Sequence, residues 1–384
     1  MRPPERYTLP TVQALLNRRQ WLAATCAMGL AGTPDGLAWA ASLLPRPLAF
    51  PRDHGTHNDA RTEWWYLTGH AKDASGREFG FQITFFRSRV DGTEALPGRL
   101  AARQLLFAHA AITDVHSGRL LHDQRIARWN GEPPARTERA VFASTEDTHV
   151  AIRDWFLRRE ADGRYTTRAP GDELQIDLEV TPTQAWLLQG DQGFSRKGPE
   201  PSQASFYVSH PQLAVRGTLD LKGQRFEVQG TAWLDHEWSE ALMHPDAVGW
   251  DWFGMNLEGG HSITAFQLRR ADGSKLWAGG SFRAAGSAQS PTDIYRFRPG
   301  ELDWVPQRHW TSPRTRARYP VEWMVRTPGD FYTVKAVIDP QELDARGSTG
   351  TVYWEGLSNL FDSNGKRVGR GYLEMTGYAK RLVL

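Results

Sequence analysis

The chain has 384 residues, with 46 Lys and Arg against 44 Asp and Glu, 16 tryptophans and a single cysteine. This near-balance offers no basic stripe to neutralise phosphates, so nucleic acid is not an expected partner. One thiol excludes an internal disulfide.

In chain order, the first expected element is an export signal over residues 1–40. Arg18 and Arg19 lead into an uncharged apolar run from Trp21 to Thr33, and Ala38-Trp39-Ala40 has the small-x-small form of a cleavage site. A charged start, a short apolar stretch and a small-residue end make a secretory signal, and the paired arginines point to the twin-arginine route. The competing reading is an uncleaved anchor. A span needs about 18 or more uninterrupted apolar residues, and Asp35 breaks the run early. Cleavage near Ala40 and a periplasmic or otherwise exported protein are therefore expected. The lone Cys26 lies in this segment, where Ala23 and Thr25 do not fit a lipoprotein pattern. Removal of Arg2, Glu5, Arg6, Arg18, Arg19 and Asp35 leaves as many acidic as basic residues, so the basic pI belongs largely to the signal.

The remainder reads as strand, turn, strand. Phe79–Phe85 alternates large apolar with small or polar residues, as one half-buried strand requires. Leu174–Val180, Gln224–Trp233, Ser262–Leu268, Tyr332–Ile338 and Val352–Leu357 read alike. Between them stand turn clusters at 73–76, 161–163, 271–273 and 363–365, where Asp-Gly and Asn-Gly tolerate the positive φ of tight hairpins. Ser239–His244 is the nearest helical candidate, stopped by Pro245. Ala284–Thr292 and Pro306–Arg318 read as loops, and the basic run Arg314–Arg318 as a solvated one. Hairpins without crossover helices predict an all-β protein of antiparallel barrels. A break near 238–250 divides it into domains over 41–240 and 241–384, packed together because no flexible linker separates them.

Three motifs carry more. They are His57-Asn58-Asp59-Ala60-Arg61-Thr62-Glu63-Trp64-Trp65-Tyr66, then Trp233-Leu234-Asp235-His236-Glu237-Trp238, then Gly249-Trp250-Asp251-Trp252-Phe253. In combination they resemble the carotenoid 1,2-hydratase / AttH-like family over nearly all of residues 50–384. The resemblance implies two lipocalin-like β-barrel domains with a pocket in or between them. Carotenoid hydratases, fungal pericyclases and exported proteins encoded near transporters look alike at this level, so fold follows from it more firmly than function.

Strand alternation puts His236 and Trp238 on one face with Leu234, and Asp235 and Glu237 on the other. The resemblance associates a His-x-Trp pair with catalysis, and it falls on His236 and Trp238. An imidazole there could move a proton while the indole steadies a developing cation. The competing reading is a histidine that holds the domain junction. A Tyr-x-Asp element expected downstream is missing, which leaves Asp251 as the third catalytic candidate. It shares a face with Phe253 and Met255, where desolvation would raise its pKa; the alternative is an exposed strand-end aspartate. Glu63, Trp64, Trp65, Tyr66, Asp235, Trp250 and Trp252 are candidates for ligand binding or the domain interface, Glu63 through a buried bond to the neighbouring domain.

Metal is not expected. His54-x-x-His57-x-Asp59 has ligand-like spacing, but zinc usually takes three or four ligands, and His236-Glu237-x-x-Glu240 lacks the second histidine of a zinc protease. No G-x-S-x-G elbow is present, and no cofactor is implied. Two functions follow. One is an exported protein that binds a hydrophobic small molecule, in partnership with a membrane transporter. The other is a hydro-lyase that adds water to an isoprenoid-like double bond. A purely structural role for the same residues is the third reading.

Overall fold

The computed structural model describes residues 43–93, 98, 101–241, 243–286 and 293–382, so the expected signal segment lies outside the described residues. Among these the fold is all-β, with two short 3-10 turns at Arg52–His54 and Glu258–Gly260 and no α-helix. No helix forms among the described residues of the helical candidate at 239–244. Ser239 is the last residue of a strand, and His244 instead starts a turn closed by the Ala247 N–H on its carbonyl.

The first sheet comprises β1 (Thr62–Lys72), β2 (Glu78–Arg89), β3 (Gln104–Asp114), β4 (Arg119–Trp129), β5 (Val141–Ala143), β6 (His149–Ile152), β7 (Trp155–Arg159), β8 (Tyr165–Pro170), β9 (Leu174–Pro182), β10 (Leu187–Leu188), β11 (Phe194–Arg196), β12 (Ala204–Leu221) and β13 (Gln224–Ser239). Their order is β4-β3-β2-β1-β13-β12-β9-β8-β7-β6-β5, with β10 and β11 on β12. Edge strands β4 and β5 approach each other, so the sheet curls nearly shut. The second sheet holds β14 (Gly249–Leu257), β15 (Ser262–Arg269), β16 (Lys275–Arg283), β17 (Ile294–Phe297), β18 (Asp303–Thr311), β19 (Arg318–Arg326), β20 (Phe331–Ala336), β21 (Glu342–Ala345), β22 (Thr351–Phe361) and β23 (Arg367–Met375). Here the order is β17-β16-β15-β14-β23-β22-β20-β19-β18, with β21 on β22. Every pairing is antiparallel, and in each sheet the first long strand lies beside the last.

The stretch 306–318 is shorter as a loop than its prolines and arginines suggest. Strand β18 runs through Pro306 to Thr311 because it is an edge strand, and its register slips at Pro306. A proline without an N–H is tolerated at such a place. Of the expected loop at 284–292, residues 287–292 lie outside the described residues.

Each barrel fills its interior with the inward row of its strands. Trp65, Leu67, Phe81, Phe85, Trp155 and Leu234 lie in the first core. Phe253, Met255, Trp304, Trp323, Trp354 and Leu373 lie in the second. The outward rows of β1, β13, β14, β22 and β23 are not left to water. Tyr66, Trp233, Trp252, Leu357 and Tyr372 form a third cluster between the barrels. Strand β1 is thus buried on both faces, which is why Trp64-Trp65-Tyr66-Leu67 is continuously apolar rather than alternating. Polar bonds tie the same contact. Asn256 Nδ2 donates to the Ala232 carbonyl at 2.9 Å, and Thr113 Oγ1 donates to Gln341 Oε1 at 2.9 Å.

Candidate functional site

Strand alternation sends the motif residues to two places. The inward row builds a buried charge network at one end of the first barrel. Register sets Glu63 opposite Arg87 and Trp65 opposite His236. Glu63 is fully buried. Its Oε1 accepts from His57 Nδ1 and His236 Nε2, both at 2.9 Å, and its Oε2 accepts from Thr56 Oγ1 at 2.6 Å and Arg87 Nε at 2.9 Å. The other nitrogen of His57 donates to Asp53 Oδ1 at 2.9 Å, and Asp53 takes a bidentate pair from Arg46 at 2.7 Å. With a carboxylate on each side, His57 donates through both nitrogens and is an imidazolium. Burial opposes that charge, but Asp53 and Glu63 outweigh it and its pKa is raised. The Glu63 carboxyl is itself held well below its usual range against burial, through Arg87, His236 and His57.

His236 goes the other way. Burial lowers its pKa, so it is a neutral imidazole that gives its Nε2 proton to Glu63. Aromatic rings close the network. His57 stacks on Trp238 at 3.7 Å and 6°, and Trp65 stacks on His236 at 4.8 Å. His57, Glu63 and His236 offer three ligand atoms within 4.8 Å of one another. A metal ion could use them only by displacing these bonds, and Arg87 already neutralises Glu63.

Two expectations change here. Glu63 bonds no residue of the second barrel, because it points inward. His236 and Trp238 face the interior with Leu234, as alternation requires, but the interdomain pocket opens on the opposite face of their strand and neither lines it. Asp251 is separated from both. It points into the second barrel, fully buried, ion-paired to Arg269 Nε at 2.8 Å and accepting from Gln267 Nε2 at 2.8 Å and Tyr378 Oη at 2.9 Å. Burial raises its pKa despite Arg269, yet Asp251 does not line the pocket. It is neither an exposed strand-end residue nor placed to share a substrate with His236.

The outward row builds the pocket. A cavity of about 110 Å³ lies between the barrels. Trp64, Tyr66 and Phe86 wall it from the first barrel, and Trp250, Trp252 and Phe266 from the second. Of the seven binding or interface candidates, Trp64, Tyr66, Asp235, Trp250 and Trp252 meet here, while Glu63 and Trp65 belong to the inward network.

Four carboxyl groups stand in this aromatic lining: Asp235, Glu237, Glu355 and Glu374. Asp235 accepts from Tyr207 Oη at 2.8 Å, Ser209 Oγ at 2.6 Å and Trp233 Nε1 at 2.7 Å. Burial nevertheless pushes its pKa up to about 7. Burial, with the charges of Asp235 and Glu237, likewise pushes Glu374 up to about 7. Glu355, the cross-strand partner of Glu374, is raised well above the carboxylate range by burial and by Glu374. Glu237 differs in having a cation, with Lys197 Nζ 2.9 Å from Oε1. Carboxyl groups whose pKa is raised toward neutrality, set in an aromatic lining, are equipped to act as acids.

Sequence reasoning did not single out Glu355, Glu374, Tyr207 or Lys197. A signal existed for the two glutamates. Each interrupts an apolar strand, in Trp354-Glu355-Gly356-Leu357 and Tyr372-Leu373-Glu374-Met375. An acid in a strand covered on both faces is withdrawn from water, Glu355 fully and Glu374 in part.

Two curled antiparallel sheets joined through their outer faces around one pocket define a tandem lipocalin-like protein. Residues 42–378 match the model of the AttH-like family, and the chain belongs to that family. A Nitrosomonas europaea protein described as AttH-like is 43% identical, with 88% of this chain and 99% of that one covered and a TM-score of 0.79. Kievitone hydratase from Nectria haematococca shares the fold at 14% identity, with 88% and 95% covered and a TM-score of 0.66. No curated protein is significantly similar in sequence.

Proposed function

We propose that this protein is an acid–base enzyme of the hydro-lyase type, acting on an unsaturated, largely apolar small molecule held between the barrels. The observation that carries this reading is the pair Asp235 and Glu374, two carboxyl groups set in one aromatic lining, each pushed up to about 7 by burial. Transfer of the Glu374 proton to an alkene carbon forms a C–H bond and leaves a cationic carbon. Water then forms the C–O bond, and its surplus proton returns to the carboxylate. A general acid works best with a pKa near the operating pH. The fold is shared with a protein named as a hydratase, so hydration is the first chemistry to try.

Incubation with a panel of isoprenoid and polyene alkenes in H2(18)O, read by mass spectrometry, tests this. Addition of one labelled water is expected, lost in Glu374→Gln with ligand binding retained. If ligands bind and none is converted, the enzyme reading fails and a carrier of hydrophobic molecules remains, in keeping with the aromatic walls. We further propose that the protein acts in the periplasm, on the strength of Arg18-Arg19 and the apolar run after them. A carrier there would hand its ligand to a membrane transporter.

A further inference from the structure

The pocket holds four carboxyl groups and, among the described residues that line it, one cation, Lys197. Buried charges are ordinarily paired. Asp235 is satisfied only by neutral donors, and Glu355 accepts from Gln82 Nε2 at 2.7 Å. Lys197 itself is oddly housed. Its ammonium lies 4.5 Å from the ring centroid of Tyr207 and 4.3 Å from that of Phe266, with Glu237 2.9 Å away. A compact, strongly hydrated ammonium usually stays in water, whereas this one sits between two π faces and a carboxylate.

We propose that the place now held by the Lys197 ammonium is a cation subsite, where a positively charged, carbon-substituted group of the ligand binds as Lys197 swings out to solvent. The inference rests on the pocket being the functional site. Aromatic faces beside a carboxylate are the surroundings that recognise alkylated ammonium groups, and Trp64, Trp250 and Trp252 widen the aromatic wall beside it. Lys197 can leave without breaking a strand. It follows β11 in a turn closed by its own N–H on the Gln203 carbonyl, and its side chain is 19% exposed.

The test compares phenyltrimethylammonium with its neutral carbon isostere tert-butylbenzene, using quenching of pocket tryptophan fluorescence in the purified full chain. The ammonium is expected to bind at least about tenfold more tightly. Lys197→Met should tighten its binding by removing the internal competitor, and Glu237→Gln should weaken it, with circular dichroism confirming that both variants fold. Equal binding of the two probes, or an ammonium affinity indifferent to both substitutions, overturns the cation subsite and leaves an apolar pocket standing. If neither probe binds, the pocket reading falls with it.

Discussion

At the scale of single residues, the molecule keeps its carboxyl groups in two opposite states within a few strands. Glu63 is ionised and fully paired, while Glu374 holds its proton because nothing positive compensates its burial. Removing one partner of a buried, hydrogen-bonded ion pair leaves the other uncompensated, at a cost of about 3–5 kcal/mol. Glu63→Gln is therefore expected to lower unfolding stability by roughly that amount in urea titration. A change below about 1 kcal/mol would mean the network is not the clamp its geometry implies. Glu374 has the reverse sign. Its folded pKa of about 7 lies above the ordinary glutamate value near 4.3. The stability it contributes is complete below that ordinary value and is lost as pH climbs to about 7. Glu374→Gln is thus expected to be more stable than the parent at pH 8, by up to about 3 kcal/mol, and no more stable near pH 4. Equal pH profiles for the two proteins would show that Glu374 ionises freely.

At the scale of elements, the strands and hairpin turns were legible because period-two patterning and Asp-Gly or Asn-Gly turns are local properties. The face on which chemistry sits was not. Alternation correctly separated His236 and Trp238 from Asp235 and Glu237, but an apolar neighbour such as Leu234 looks the same whether it lines a core or a ligand cavity. The outward face reads as the solvent side until the second barrel is known to cover it. For the same reason Asp251 and Glu63 could be recognised as acids among apolar residues, whereas their partners Arg269 and Arg87 lie 18 and 24 residues away. Pro306 inside a strand became intelligible only once β18 proved to be an edge. The covering of the outward face is itself testable at β2. A Cβ on Gly80 would lie 2.7 Å from Tyr372 Oη and 3.0 Å from Leu357 Cβ, both in the second barrel. Overpacking of this kind costs about 1–3 kcal/mol. Gly80→Val is expected to cost that much and to raise proteolytic sensitivity at the barrel junction. An unchanged digestion pattern would show that the junction gives way easily.

For the whole molecule, the chain from Ala41 to Leu384 forms one unit, and neither barrel alone possesses the pocket. If the N-terminal arginine pair directs export, the twin-arginine route suits such a protein because it carries cargo already folded. Replacement of Arg18 and Arg19 by lysine is expected to hold the protein in the cytoplasm, as measured by cell fractionation and immunoblotting. Unaltered export would assign it to another route or to none that this pair controls.

The packing of barrels through their outer faces has an evolutionary consequence. Inward and outward positions alternate along the same strands, so the residues that fill the core of each barrel are different residues from those that line the pocket between them. Trp64, Tyr66, Trp250 and Trp252 can change while Trp65, Leu67, Phe253 and Met255 keep their places. Selection can therefore alter the pocket lining, and with it the contact between the barrels, without changing the core of either barrel. In that division of labour, a combinatorial library confined to the outward row reshapes the pocket while both barrel cores stay as they are.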